Sequence, residues 1–317
     1  MKLLKRAIAA SAAALMMAGA VQAADVVIGS PNWPSVQATA YILKVVLEEN
    51  LGLEVEVQNG TNPVVFEAME KGSMHVHPEV WLPNQDNLHN TYVKENGTVL
   101  MNPNGVSAFQ GICATKHTAE TLGVSKITDL TDPSIASQFD SNGDGKGEVW
   151  IGATGWASTN IEKIRAKSYG YDQTLDLTEM DETLAMANLD AAVQQKKPFV
   201  FFCYTPHHMF ELHDLVILEE PAHDPDKWIV FQPTDDPNWL ENSSAGVAWK
   251  NANLHIHYAK SLEESQPEAA EVLSNVKLST DQVSAMVYAI IVEKMTLEDL
   301  ASQWVEANMA SVDEWMR

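Results

Sequence analysis

Residues 149–170 read VWIGATGWASTNIEKIRAKSYG, and this stretch decides the fold. Positions 149–153 form a short apolar run of the β type. Thr154 and Gly155 break it, and Trp156 stands at the break. Ser158 or Thr159 then offers an N-cap for a helix over 160–169, with Gly170 to close it. A strand, a tight turn and a helix make one βα unit.

The pattern repeats on either side. Strand candidates are DVVIG (25–29), LEVEVQ (53–58), MHVHPEVW (74–81), FQGICAT (109–115), FVFFCYT (199–205), DLVILEE (214–220) and AGVAW (245–249). Ser35 is placed to cap a helix over 36–50, and Gly52 follows its end. Asp181 opens a helix that runs to about 195. The last sixty or so residues read as helices over 262–276, 280–292 and 297–308. Leu278-Ser279-Thr280 and Met295-Thr296 punctuate them.

Alternating βα units predict an α/β protein whose mainly parallel sheets are flanked by helices on both faces. The chain has 317 residues, more than one ordinary core. Two lobes are therefore expected, 24–107 with 246–317 and 108–245. No Pro/Gly/Ser-rich linker separates them, which favours strands crossing between lobes near 107–110 and 244–247.

The N-terminus reads as a secretory signal peptide over 1–23. Lys2, Lys5 and Arg6 precede an apolar stretch, and Val21-Gln22-Ala23 supplies small residues for cleavage after Ala23. The expected location is a bacterial periplasm. The formal net charge is −23, which opposes binding to nucleic acid or an anionic membrane. Cys113 and Cys203 both lie in apolar strand-like runs; a disulfide and two buried thiols look alike at this level.

Four aromatic residues share one context, a strand end beside a breaker-rich turn. They are Trp33 in SPNWPS, Trp81 in HPEVWLPN, Trp156 in GATGWAST and Tyr204 in FCYTPHH. Open α/β sheets bind ligands at strand ends. Aromatic faces that meet there suit a methylated cation, whose charge is spread over methyl surface and which donates no ordinary hydrogen bond. Each ring is worth roughly 0.5–2 kcal/mol once water is excluded. Three or four rings then supply several of the ~8 kcal/mol needed for micromolar binding. The other tryptophans, Trp150, Trp228, Trp239, Trp249, Trp304 and Trp315, read as structural.

The anionic end of such a ligand needs donors. His207, the backbone at Asn32–Trp33 and the free N–H groups opening the helix after Trp156 are the candidates. Glu79 lies two residues before Trp81 and so shares its strand face. In a pocket it would accept a hydrogen bond from a hydroxyl or a protonated N-oxide and would repel a ligand carboxylate.

Residues 140–148, DSNGDGKGE, match the first part of a calcium loop. Asp140, Asn142 and Asp144 offer oxygens at alternate positions, Gly145 allows the sharp turn, and Lys146 has only its carbonyl to give. Ile151 stands where the usual distal Glu falls, so Glu148 would close the site. The expected role is structural.

Ten histidines suggest a rival, a binding protein for a His-ligated metal, with His75 and His77 on one strand face. A hydrolase is the weaker rival. No HExxH, GxSxG or P-loop is present, and nothing marks Cys203 as a lowered-pKa nucleophile.

Four ordered blocks also resemble a known family. They are NWPSVQ (32–37), KGSMHVHPEVWLPNQ (71–85), IGATGWASTNIEKIRAKSYGYD (151–172) and FCYTPHHMFELHDLVILEEP (202–221). The chain is similar over nearly all its length after residue 23 to the ProX/OpuAC group, substrate-binding proteins of ABC importers for glycine betaine, choline and related osmolytes. The resemblance implies a two-lobed type II periplasmic binding fold and a permease partner. It implies that Trp81, Trp156 and Tyr204 hold positions of an aromatic box, Tyr204 standing where many members carry Trp, with Trp33 as a fourth wall. The block TNPVVFEAMEKGSMHVHPEVW (61–81) with the calcium-type loop looks most like members that bind trimethylamine N-oxide, which ranks that ligand first and glycine betaine second. A monomer that is not an enzyme is expected.

Overall fold

The computed structural model describes residues 24–317. The expected signal peptide lies outside the described residues. Ten strands form the sheet framework: β1 (Val26–Ser30), β2 (Val55–Asn59), β3 (Val76–Leu82), β4 (Val99–Met101), β5 (Val106–Thr115), β6 (Gly147–Trp150), β7 (Leu175–Thr178), β8 (Val200–Thr205), β9 (Leu215–Ile217) and β10 (Ala252–Ala259). Their order is β2-β1-β3-β10-β5-β8-β6-β7, with β4 on β10 and β9 on β5.

Parallel pairing joins β1 to β2 and β3 on one side, and β6 to β7 and β8 on the other. Antiparallel β10 and β5 lie between these groups. Strand β5 changes partner midway: Val106–Ala108 pair with β10, and Phe109–Ala114 pair with β8. One continuous strand thus ties the two halves of the sheet together.

Helices bury both parallel groups. Pro34–Leu51 lays Val36, Ile42, Leu43, Val46 and Leu47 into the core and packs on the helices Thr280–Ile291 and Leu297–Ala307. Each residue so buried contributes roughly 1.5–3 kcal/mol of transfer free energy. On the other side, Ala157–Tyr169 and Glu182–Gln195 present Ile161, Ile164, Ala185 and Leu189 to the core.

Several sequence expectations change. AGVAW (245–249) is not a strand, because its backbone is satisfied elsewhere. Ala245 N–H donates to Ser168 Oγ at 2.9 Å, Ala248 N–H to the Pro221 carbonyl at 2.8 Å, and Arg165 Nη1 donates to the Val247 carbonyl. The strand that follows, β10, was hidden by its polar alternation, ANLHIHYA. The helix expected over 262–276 splits into Leu262–Ser265 and Pro267–Asn275. Pro267 disfavours the helical region for the residue before it, and Gln266 sits at φ −143°, ψ 67°. A further helix, Met309–Trp315, follows Leu297–Ala307. Cys113 and Cys203 form a disulfide that joins β5 to β8.

Candidate functional site

The four aromatic residues meet. Trp33 and Trp156 have ring centroids 6.2 Å apart, Trp156 and Tyr204 6.1 Å, and Trp81 and Tyr204 5.4 Å, each pair nearly perpendicular. They line one cavity together with Asn62, Asn84, Gln85, Gln110, Ala157, Ser158 and Phe202.

Local structure explains how each ring arrives there. Trp81 is the last residue but one of β3, and Tyr204 the last but one of β8, opposite Gln110 of β5. Trp33 occupies the N-cap position of the helix Pro34–Leu51, with Pro34 fixing the first turn. Trp156 occupies the N-cap position of Ala157–Tyr169. The turn before it needs Gly152: its φ is +121°, and a Cβ there would lie 2.3 Å from Thr159 Oγ1.

Neither helix is capped as the sequence suggested. Thr159 Oγ1 donates to the Ala153 carbonyl at 2.7 Å, binding the helix to the turn. Ser158 lines the cavity and makes no cap. Ser35 Oγ donates to Glu79 Oε1 at 2.8 Å. Asp181 does cap its helix, accepting from Thr183 N–H at 2.9 Å.

Glu79 is buried and holds two walls. Its Oε1 accepts from Trp33 Nε1 at 2.7 Å and from Trp81 Nε1 at 2.8 Å. Burial pushes its carboxyl up to about 7, the charge of Glu182 adds to this, and the three donors oppose it. Glu79 is not among the residues lining the cavity, and its Oε1 is turned to the indole and Ser35 donors.

Glu182 is the matching residue on the other side, and sequence reasoning missed it. Its Oε1 accepts from the Tyr204 hydroxyl and from His207 Nε2, the latter at 2.9 Å. Its Oε2 is buried without a partner. His207 Nδ1 accepts from Met209 N–H at 3.0 Å, so the ring proton resides on Nε2. Both nitrogens of His207 are engaged one layer behind Tyr204, and the residue does not line the cavity where a ligand donor was expected.

The polar side of the cavity is built from amides and a helix end. Asn84 and Gln110 exchange two side-chain hydrogen bonds, at 2.6 and 2.9 Å. Gln85, 2% exposed, lines the cavity with its Oε1 unpartnered. Ala157 and Ser158 open the helix Ala157–Tyr169, whose N-cap makes no side-chain hydrogen bond. First-turn N–H groups and the helix dipole make such an end attractive to a negative group. Glu182 follows a cap residue and Gln85 ends the WLPNQ run; nothing local distinguishes either.

The other predicted residues lie apart. Asp140, Asp144 and Glu148 bring carboxylate oxygens within 4.8 Å of one another, the group among the described residues able to hold a metal. Asn142 is hydrogen-bonded to Asp144 beside them. Lys146 turns its amine to Asp176 at 2.6 Å. No histidine belongs to that group. His75 Nδ1 accepts from Val27 N–H and His77 Nδ1 from Glu79 N–H, so the pair expected to chelate is engaged by backbone.

Residues 24–307 match the family model of the substrate-binding domain of ABC-type glycine betaine transport systems, OpuAC. The glycine betaine-binding periplasmic protein OusX of Dickeya dadantii is 25% identical over 246 residues, 74% of this chain and 72% of that protein. The trimethylamine N-oxide-binding protein of Pelagibacter ubique is 24% identical over 300 residues, 92% of this chain and 91% of that protein. Lactococcal OpuAC, closed and liganded with glycine betaine, superposes with a TM-score of 0.71 at 21% identity, covering 92% of this chain and 99% of that one. A choline-binding protein of an ABC transporter, in complex with choline, also gives 0.71, at 18% identity over 92% and 91% of the two chains. The chain belongs to the OpuAC family of substrate-binding proteins and has its two-lobed fold; the family is not one of enzymes. Among the described residues no helix is long and apolar enough to cross a membrane.

Proposed function

We propose that this protein is a periplasmic receptor for a trimethylammonium osmolyte, trimethylamine N-oxide first and glycine betaine second, held in the aromatic cage between the lobes. The observation that carries the reading is the run of four rings in one cavity, each neighbouring pair nearly perpendicular, with amide side chains and a helix N-terminus on the polar side. Methyl groups on a positive nitrogen face Trp33, Trp81, Trp156 and Tyr204. The ligand oxygen faces the first turn of Ala157–Tyr169 and the amides of Asn84, Gln85 and Gln110.

Two points favour the N-oxide. Glu79 and Glu182 stand behind the rings, a setting that disfavours a ligand carboxylate more than a single oxide oxygen. The relative named for trimethylamine N-oxide spans 92% of this chain. The walls come from both sides of β5: Trp33 and Trp81 from one, Trp156 and Tyr204 from the other. Ligand thus draws the lobes together, and a monomer delivers the closed form to an inner-membrane permease. Isothermal titration with trimethylamine N-oxide, glycine betaine and choline tests this. Heat of binding with the N-oxide tightest is expected; no heat with any of the three refutes the reading.

A structural calcium ion is part of the same proposal. The donor set is hard oxygen, and Glu148 Oε1 is buried without a partner, as an oxygen meant for a cation would be. Asp140, Asn142, Asp144 and Glu148 would hold it, with the Lys146 carbonyl. The site lies immediately before β6, whose end presents the turn to Trp156. Metal there braces the loop and takes no part in chemistry.

A further inference from the structure

We propose that Glu79 and Glu182 set the charge class of the ligand: acting through the rings they anchor, they make the cage selective for a permanent positive charge over a neutral group of the same shape. The inference rests on the receptor reading above and names two specificity-determining residues for it.

Three of the four walls end on a buried carboxylate. The indole N–H groups of Trp33 and Trp81 point to Glu79 and the Tyr204 hydroxyl points to Glu182. A donor hydrogen-bonded to a carboxylate leaves more electron density on its ring, so the face turned to the cavity grows more negative.

The negative charge is not cancelled locally. Every partner of Glu79 is neutral: two indoles and the Ser35 hydroxyl. Glu182 receives a phenol and a neutral imidazole, since His207 Nδ1 is already an acceptor. Among the described residues no lysine or arginine makes an ion pair with either carboxylate. Glu182 Oε2 is buried and unpartnered.

Neither carboxylate touches the cavity. A methylated cation has no N–H to offer a carboxylate, and direct contact would leave both poorly solvated. A ring between them gives the cation an apolar surface and still transmits the field through a medium of low dielectric. The charge of Glu182 is felt as far as Glu79, where it helps to raise the carboxyl.

The test compares choline with its carbon isostere 3,3-dimethyl-1-butanol, alongside glycine betaine and trimethylamine N-oxide, by titration calorimetry. The protein should prefer choline to the isostere by about a hundredfold or more, a ratio that reports the positive charge alone. Glu79→Gln and Glu182→Gln keep an acceptor oxygen for the ring donors. Each should cut the choline-to-isostere ratio about tenfold, whatever the variant does to the binding the two ligands share. If both ligands weaken equally in the variants, the carboxylates only hold the rings and the proposal falls. A ratio near one in the unaltered protein overturns it even where a variant fails to fold. Absence of binding to all three onium ligands overturns the receptor reading itself, an outcome separate from an unchanged ratio.

Discussion

Trp33 donates its indole N–H to Glu79 across 46 residues of chain, at 2.7 Å. The same carboxylate oxygen takes Trp81 at 2.8 Å, so one buried acid fixes the angle of two walls. Replacing Glu79 with Ala leaves two indole N–H groups and the Ser35 hydroxyl without their acceptor. The expected loss is about 2–4 kcal/mol of stability, with weaker ligand binding. Denaturant unfolding checks the first and calorimetry the second; a variant as stable as the parent contradicts the anchoring role.

Binding should strengthen with rising pH. Burial pushes Glu79 from its ordinary 4.5 up to about 7. A folded-state value above the unfolded one means this group's contribution to stability is fully present below pH 4.5 and is lost as pH rises through 7. A cation in the cage has the opposite preference and favours the carboxylate. Ligand binding therefore expels a proton, and affinity should rise about threefold to tenfold between about pH 6 and about pH 8. The groups facing Glu79 are the neutral donors Trp33, Ser35 and Trp81, the neutral His77, and the charge of Glu182 with Tyr204 beside it. Calorimetry in buffers of different ionisation enthalpy measures the proton. A flat profile, or one that Glu79→Gln does not flatten, contradicts the assignment.

Trp156 carries the cage on the far side of β5, with Trp33 and Tyr204 both against it. Trp156→Ala should weaken binding of the N-oxide by at least about tenfold. The ring is only partly buried, so the melting temperature should move little. Unchanged affinity removes Trp156 from the cage.

Arg165 is fully buried between Glu162 and Glu220, and its guanidinium also reaches the Val247 carbonyl. It lies on the same helix that begins at Trp156. Arg165→Ala strands two buried carboxylates and should cost about 3–5 kcal/mol. Arg165→Met together with Glu162→Gln and Glu220→Gln should recover part of that loss. Urea unfolding of the single and triple variants is the measurement, and equal stability of single variant and parent would refute the network's role.

Chelation should lower the melting temperature, and added calcium should restore it while magnesium restores less. Asp140→Asn should abolish the response. Here the backbone N–H groups of Gly143 and Gly145 hold the Asp140 carboxyl below its usual range, so the loop enters the neutral range already charged. A melting curve indifferent to chelator rules out the metal.

The sequence carried the alternation of strands and helices because both are written locally, in periodicity and in turn residues. Trp33, Trp81, Trp156 and Tyr204 were visible for the same reason, each standing beside Gly or Pro at a strand end. The Asp/Gly loop was legible as an oxygen-rich turn. Strand β10 was not, since its two histidines and Asn253 mimic a loop until backbone pairing with β3 and β5 on either side makes them a strand. The caps at Ser35 and Thr159 were misplaced because each hydroxyl has two possible partners, and the stronger one is distant in sequence or belongs to the turn before.

What sequence alone determined is the inventory: which aromatic rings exist, at which strand ends, on which βα units. Tertiary structure decided what orients them. Register between β3, β10, β5 and β8 sets Trp81 against Tyr204, and only then do Glu79 and Glu182 fall behind their walls. A carboxylate's partner depends on residues dozens of positions away, whereas a turn or a helix period is closed within a few, and that difference in range is the physical reason.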